Sequence, residues 1–193
     1  MANIDKIVFT WINSGAGNIS TLDSVMKIMA SDYLVPSSFC LILLSMWFAG
    51  IDQFERQRYQ MGLLVALISM VLASGMVMFV NSVYFRDRPF VNMDVILLFY
   101  EPTDSSFPAN SAAVSFALAT AIWSVKQKIG WVMFGVAALY GAARIFCGVH
   151  YPIDIIGGGG IGIGAVCVLH WSRKLFEPLL MTVIRMARVF YLA

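Results

Sequence analysis

Long apolar stretches alternate with short charged loops along most of the chain. Five stretches are long and apolar enough to predict membrane-spanning helices: 34–50, 61–80, 107–125, 129–143 and 155–171. An α-helix needs roughly 20 residues to cross a bilayer, and the uncharged stretch 61–80 fits this length best. The pattern therefore predicts an all-α integral membrane bundle of five transmembrane helices, or six if the segment before residue 34 also inserts.

The two ends of the chain have a different pattern. Residues 1–33 contain two short segments with apolar residues at helical spacing, and the tail over 172–193 carries basic residues on an otherwise apolar segment. Such amphipathic segments are typical of helices that lie in the membrane interface. We therefore predict one membrane domain over 1–193, with interfacial helices at 1–33, a transmembrane core at 34–171 and a basic tail at 172–193.

Composition and charge agree with this interpretation. Hydrophobic residues make up 60% of the chain and charged residues only 12%, whereas soluble domains have about 25% charged residues. The mean hydropathy is +0.79. The net charge of +2 is too balanced to indicate a nucleic-acid-binding protein, and the lipid bilayer is the expected partner. The composition does not predict an oligomeric state.

The charged loops give the five predicted spans an orientation. One side would hold eight lysine and arginine residues against three acidic residues, and the other side five against eight. Basic loops usually face the cytoplasm. We therefore predict a cytoplasmic C-terminus, with the long polar loop over 81–106 on the opposite face of the membrane.

Polar and ionisable residues gather at one end of the predicted spans. They are Arg86, Arg88, Pro108, Asn110, Ser111, Arg144, His150 and Asp154. Arginines can clamp a phosphate through several hydrogen bonds, and free N–H groups at helix starts favour anions. A histidine beside a carboxylate is typical of a nucleophile with its orienting partner. The pattern predicts a phosphoryl-transfer site that requires no metal ion or other cofactor.

The segment that contains His150 carries a family resemblance. The sequence GAARIFCGVHYPIDIIGG resembles the third signature of the type-2 phosphatidic-acid phosphatase superfamily, S-R-x5-H-x3-D. Arg144, His150 and Asp154 match this signature, and Ala143 replaces its serine. The order and spacing of the other motifs extend the resemblance over about 34–171.

The other two signatures match in part. FRDRPF resembles the first signature, K-x6-R-P, through Arg88 and Pro89, with Asn81 at the lysine position. Only Pro108 matches the second signature, P-S-G-H, and the sequence ANS at 109–111 replaces the rest. WINSGAGN followed by LDSVM near the N-terminus is similar to the bacterial undecaprenyl-diphosphatase-like branch.

The resemblance implies a site and a mechanism. His150 would attack phosphorus and form a phospho-histidine, Asp154 would orient it, and Arg88 and Arg144 would hold the phosphate. Arg86 would add a phosphate contact. Other candidate substrate-binding residues are Asn81, Pro108 and Asn110. The implied substrate is a membrane lipid phosphate or a polyprenyl diphosphate, hydrolysed at the extracytoplasmic face of a bacterial-type inner membrane.

Ser111 is the main departure from the family pattern. It stands where the family has a histidine that protonates the leaving oxygen, and general acid catalysis is worth about 10²–10⁴ in rate. His170 lies roughly 30 Å from His150 if the intervening residues are helical, so it cannot replace that acid. Ser111 is kept as a catalytic candidate, although a helix cap formed with Asn110 is the preferred interpretation.

Three explanations of this departure remain open. In the first, the substrate is a diphosphate, whose leaving group needs less protonation. In the second, Asp104 or Glu101 supplies the proton. In the third, the protein binds lipid phosphates without cleaving them. The leading hypothesis is a metal-independent lipid phosphatase, in which the missing histidine would impair activity. The alternative is a non-catalytic lipid-phosphate binding or transport protein on the same scaffold. A purely structural membrane protein is a more distant hypothesis.

Overall fold

The computed structural model describes the backbone of residues 2–189, and its side chains except those of 2–3 and 173–175. The part of the chain that the structure describes contains nine α-helices and no strands. They are α1 (Ala2–Asn13), α2 (Ser20–Met29), α3 (Leu34–Phe48), α4 (Gln53–Val83), α5 (Pro89–Asn92), α6 (Asn110–Val125), α7 (Gln127–Phe146), α8 (Pro152–Trp171) and α9 (Arg173–Val189). The predicted all-α membrane bundle is confirmed.

A helix occupies each of the five predicted spans, but the helices differ in length. Within the described residues, α4, α7 and α8 are each long and apolar enough to cross a membrane. Helices α2 and α3 meet at an angle of 50° and together could form a fourth span. Helix α6 has 16 residues and covers only about 24 Å, less than the hydrocarbon core of a bilayer. Length and composition therefore support three or four spans rather than five or six.

Helix α6 is the centre of the bundle and packs against α4, α7 and α8. Its contact with α8 is close because glycines of α8 face backbone atoms of α6. A Cβ atom at Gly158 would lie 2.2 Å from the Ala109 carbonyl oxygen, and one at Gly162 would lie 2.2 Å from the Ala113 carbonyl oxygen. The glycine-rich sequence of α8 therefore serves helix packing, as small residues commonly do in membranes. This packing brings the N-terminal ends of α6 and α8 together.

The N-terminal helix is packed more firmly than an interfacial position alone would require. Phe9 is buried and its ring lies 5.4 Å from the ring of Tyr151. The Asn13 amide donates hydrogen bonds to the carbonyls of Ile96 (2.9 Å) and Phe146 (2.8 Å). Helix α1 is thus attached to the same end of the bundle as the polar residues predicted to form the site.

The C-terminal tail forms the amphipathic helix α9, which has Pro178 in its interior and packs against α4 and α8. The predicted tail extends to residue 193, and residues 190–193 lie outside the described part of the chain. The division of the domain into interfacial and transmembrane parts remains a prediction.

Candidate active site

One end of the bundle contains a polar cavity of about 260 Å³. The residues around it come from the segment between α2 and α3, the start of α3, the loop between α4 and α6, the start of α6, the end of α7 and the segment before α8. Five predicted site residues line it: Arg88, Asn110, Ser111, Arg144 and His150. These five residues belong to four separate stretches of the sequence, which the structure brings to one place.

His150 lies in a tight connection between α7 and α8. Gly148 adopts a positive φ of 86°, which L side chains rarely adopt, so the chain can turn sharply before His150. Pro152 then occupies the first position of α8, where proline is well tolerated. The imidazole is thereby held against the cavity with a residue exposure of only 2%.

The surroundings of His150 select one neutral tautomer. Nδ1 lies 3.1 Å from the carbonyl oxygen of Ser106, which can only accept, so Nδ1 carries the proton. Nε2 lies 3.3 Å from Nη1 of Arg88, which can only donate, so Nε2 carries the lone pair. Burial lowers the pKa of His150 to about 4. The side chain is therefore neutral at physiological pH, and its basic nitrogen is on the Arg88 side of the ring.

Asp154 supports His150 mainly through other groups. Its Oδ2 lies 3.9 Å from Nδ1 of His150, which is longer than a hydrogen bond. The same oxygen accepts hydrogen bonds from the Ser106 hydroxyl (2.5 Å) and the Tyr151 N–H (2.8 Å). Ser106 therefore links the carboxylate to the imidazole, a role that the sequence analysis did not identify.

The two cavity arginines are each paired with a carboxylate. Arg88 Nη2 lies 2.7 Å from an oxygen of Asp104, and Arg144 Nη1 lies 2.5 Å from an oxygen of Asp32. Both guanidinium groups are nearly buried, whereas Asp104 is 66% exposed and Asp32 is 35% exposed. The hydroxyl of Tyr100 donates to Asp32, and this bond raises the pKa of Tyr100 to about 12.

Two buried polar groups at the cavity lack protein partners. The hydroxyl of Ser111 and Nε of Arg144 make no hydrogen bond to any residue that the structure describes. Buried polar groups are normally satisfied, and an unsatisfied one costs free energy. Both groups belong to residues that line the cavity, so they are available to a ligand with acceptor oxygens.

Arg86 differs from its expected role as a phosphate contact. It does not line the cavity. Its guanidinium forms ion pairs with Asp154 and with Asp5 of α1, each at 2.6 Å. Burial alone would lower the pKa of Arg86, but its hydrogen bond to Asp5 and the charge of Asp154 raise it. Arg86 thus lies outside the cavity and holds Asp154 in place through an ion pair.

Three further predicted residues or roles lie away from the cavity lining or differ in geometry. Asn81 lies in α4 and does not line the cavity, and its Oδ1 has no hydrogen-bond partner within the described chain. Pro108 also lies outside the cavity lining and precedes α6. Asn110 and Ser111 do not cap this helix, because the N-cap residue is Ala109 and no side chain forms a cap hydrogen bond.

The candidate proton donors lie at different places in the structure. Asp104 lines the cavity, whereas Glu101 does not. His170 lies at the far end of α8 beside Gln57 and Arg58, as its distance along the sequence predicts. Asp32 also lines the cavity but precedes all three family motifs. It lies 112 positions from Arg144, and no sequence motif indicates their contact.

A larger apolar groove adjoins the polar cavity. It has a volume of about 1030 Å³ and is lined by α2, the start of α3 and residues 97–100. Tyr100 borders both spaces, so the groove and the cavity meet at this side chain. Lys27 also lies on the groove. The arrangement places an open apolar surface next to a compact charged pocket.

Several known proteins are similar to this chain over most of its length. Undecaprenyl-diphosphatase BcrC of Bacillus subtilis is 29% identical over 178 residues, covering 92% of this chain and 89% of the relative. Bacitracin transport permease protein BcrC of Bacillus licheniformis is 26% identical over 171 residues, with 88% and 80% covered. The crystal structure of Aquifex aeolicus LpxE is 27% identical, with a TM-score of 0.65 over 83% of this chain and 91% of that chain.

The family follows from a match that covers more than half of the chain. Residues 62–177 match the PAP2 superfamily, and this segment contains the motif residues Arg88, Arg144, His150 and Asp154. The match and the similar membrane fold agree with the resemblance found in the motifs. The chain belongs to the PAP2 superfamily.

Proposed function

We propose that this protein is a membrane lipid phosphatase that hydrolyses a polyprenyl diphosphate, such as undecaprenyl diphosphate, through a phospho-histidine. One observation carries the proposal. The basic Nε2 of a buried, neutral His150 lies 3.3 Å from Arg88 in a cavity that also contains Arg144. This combines a nucleophile with two cations suited to phosphate oxygens.

The first step forms the covalent intermediate. The Nε2 lone pair of His150 attacks the terminal phosphorus, and the bond from that phosphorus to the bridging oxygen breaks. The electron pair of that bond leaves with polyprenyl phosphate. Because Nδ1 keeps its proton, the ring becomes cationic, and the carboxylate of Asp154 at 3.9 Å stabilises that charge.

The second step releases phosphate. Water attacks the phosphorus of the phospho-histidine, the phosphorus–nitrogen bond breaks, and its electron pair returns to Nε2. Both protons of the water remain with the product, which leaves as dihydrogen phosphate. Arg88 and Arg144 stabilise the negative charge of the phosphoryl group in both steps, so they supply electrostatic catalysis without a metal ion.

Ser111 favours a diphosphate over a monophosphate substrate. A departing polyprenyl phosphate is already a stable anion and needs little protonation, whereas a departing lipid alcohol needs a general acid. The Ser111 hydroxyl has no partner among the described residues and lines the cavity, so it can donate a hydrogen bond to a phosphate oxygen. This explains how the reaction proceeds without the family's second histidine.

The apolar groove supports a lipid substrate. Its volume of about 1030 Å³ and apolar residues such as Leu41 and Leu97 suit a hydrocarbon chain. The groove meets the cavity at Tyr100, so one molecule can place its chain in the groove and its diphosphate near the arginines. We assign the groove to the isoprenoid chain of the substrate.

The proposed reaction takes place at the extracytoplasmic face of a bacterial inner membrane, with the C-terminus in the cytoplasm. Support comes from the charge distribution, because the basic loops belong to the end of the bundle away from the cavity. Lys126, just before α7, lies 5.0 Å from the ring of Tyr59 near the start of α4. This contact shows that the loop before α4 and the loop before α7 lie at the same end of the bundle.

A non-catalytic lipid-phosphate binder or transporter is the second candidate. Ser111 favours it because the family's acid is missing, and one relative is named a transport permease.

Phosphate release distinguishes the proposed phosphatase from this alternative. Purified protein in detergent should release phosphate from undecaprenyl diphosphate faster than from phosphatidate, and His150→Ala should reduce release by at least about 10³-fold. Binding of either lipid without release would support the binder instead.

The role of Ser111 has a separate test. Ser111→His should raise phosphate release from phosphatidate by about tenfold or more, because it supplies the acid that an alcohol leaving group needs. Release from undecaprenyl diphosphate should change much less. Asn110→His, at the neighbouring cavity position, is the matched control. Equal gains on both lipids would contradict the leaving-group argument.

A further inference from the structure

Asp5 is a buried carboxylate in a helix outside the family motifs. Its side chain is fully buried, although it belongs to the N-terminal helix α1. Oδ2 lies 2.6 Å from Nη2 of Arg86, and Oδ1 accepts a hydrogen bond of 3.0 Å from the Ile153 N–H in the first turn of α8. Burying a carboxylate is costly unless it is paired, and both oxygens are paired here.

The contacts of Asp5 continue to the imidazole. Arg86 uses its other nitrogen, Nη1, to bind Asp154 at 2.6 Å, and Asp154 holds the Ser106 hydroxyl. The Ser106 carbonyl in turn accepts the Nδ1 proton of His150. A series of contacts therefore runs from α1 to the histidine, through side chains as far as Ser106 and then through the Ser106 backbone carbonyl.

We propose that Asp5 is a positioning residue for the His150 nucleophile and acts through Arg86 and Asp154. This inference rests on the proposed phosphatase function. Asp5, Arg86 and Asp154 together carry one net negative charge beside His150. That charge stabilises the cationic ring of the phospho-histidine, and the fixed geometry keeps Nε2 directed at the phosphate site.

The proposal predicts a specific kinetic effect. Asp5→Asn keeps the size of the side chain but removes the charge, so kcat for undecaprenyl diphosphate should fall at least about tenfold, with KM within about twofold. Asp94→Asn is the matched control, since Asp94 is exposed and makes no ion pair within the described chain. The control should keep wild-type kinetics.

A double-substitution cycle separates positioning from simple structural support. If Asp5 acts through Arg86, Asp5→Asn should add little to the loss caused by Arg86→Gln. The proposal is overturned if kcat of Asp5→Asn stays within twofold of wild type, if the two losses multiply independently, or if Asp5→Asn abolishes folding. An inactive wild-type protein would instead contradict the proposed function, so the two failures can be told apart.

Discussion

Asp32 lines the cavity and pairs with Arg144, so under the proposed function a substrate phosphate would compete with it for this guanidinium. Its carboxylate lies 2.5 Å from Nη1 of the guanidinium and also accepts the hydrogen bond of Tyr100. Because the acid is 35% exposed at the cavity, an incoming phosphate can displace it. We therefore interpret Asp32 as a counterion that stabilises Arg144 while the cavity holds no substrate.

This interpretation predicts tighter substrate binding when the counterion is removed. Asp32→Asn should lower KM for undecaprenyl diphosphate by roughly tenfold, because the substrate no longer competes with a charge-assisted bond. The value of kcat should stay within about twofold, as steady-state kinetics would measure. Glu101→Gln, in the loop between α5 and α6 and outside the cavity lining, serves as the control. A large fall in kcat with unchanged KM would identify Asp32 as a proton donor instead.

Residues at span ends were predictable from the sequence, whereas their partners were not. Arg88, Arg144 and His150 are polar groups at the ends of apolar stretches, and this position predicts a shared site. Asp5 and Asp32 lie in segments without a motif, and each contacts an arginine that is 81 or 112 positions away. Only the packing of α1 and α2 on the bundle brings them to the site, and no local pattern encodes that packing.

At the level of helices, the contact between α6 and α8 controls the geometry of the site. The start of α6 carries Ser111, and the segment before α8 carries His150. The glycine run predicts close packing in general. It does not identify the partner helix, which the structure shows to be α6.

A matched pair of substitutions tests this contact. Gly162→Ala would place a Cβ atom 2.2 Å from a carbonyl oxygen of α6, and it should destabilise the protein by about 1–3 kcal/mol. Gly164→Ala, two residues later, meets no atom within 4 Å and should leave stability unchanged or raise it by up to about 1 kcal/mol. Thermal unfolding in detergent would measure both. Similar losses for the two variants would contradict the packing described here.

The apolar stretches predicted where the main helices lie, but not where each helix begins and ends. The predicted span 107–125 begins too early. The residue before proline avoids the helical conformation, which keeps Phe107 out of the helix, and the extended backbone of Ala109 makes Asn110 the first residue of α6. The predicted span 61–80 is too short, because α4 continues through polar residues to Gln53. Apolar stretches mark the lipid-facing part of a helix, while hydrogen bonding and caps decide where it ends.

At the level of the whole molecule, the charge distribution predicts the orientation in the membrane. Asp94 lies on the loop beside the site, and Lys128 lies at the opposite end of the bundle in the first turn of α7. In a protein with its native cysteines replaced by serine, a membrane-impermeant thiol reagent added outside bacterial spheroplasts should label Asp94→Cys and leave Lys128→Cys unlabelled. The reverse pattern would contradict an extracytoplasmic site.

The phospho-histidine itself offers the most direct test. Protein incubated with undecaprenyl diphosphate that carries ³²P in its terminal phosphate should be quenched rapidly with alkali and digested. The label should appear on the peptide that contains His150, survive alkali, be lost in acid, and be absent from His150→Ala. Phosphate release without any label on this peptide, or equal labelling of His150→Ala, would contradict the mechanism.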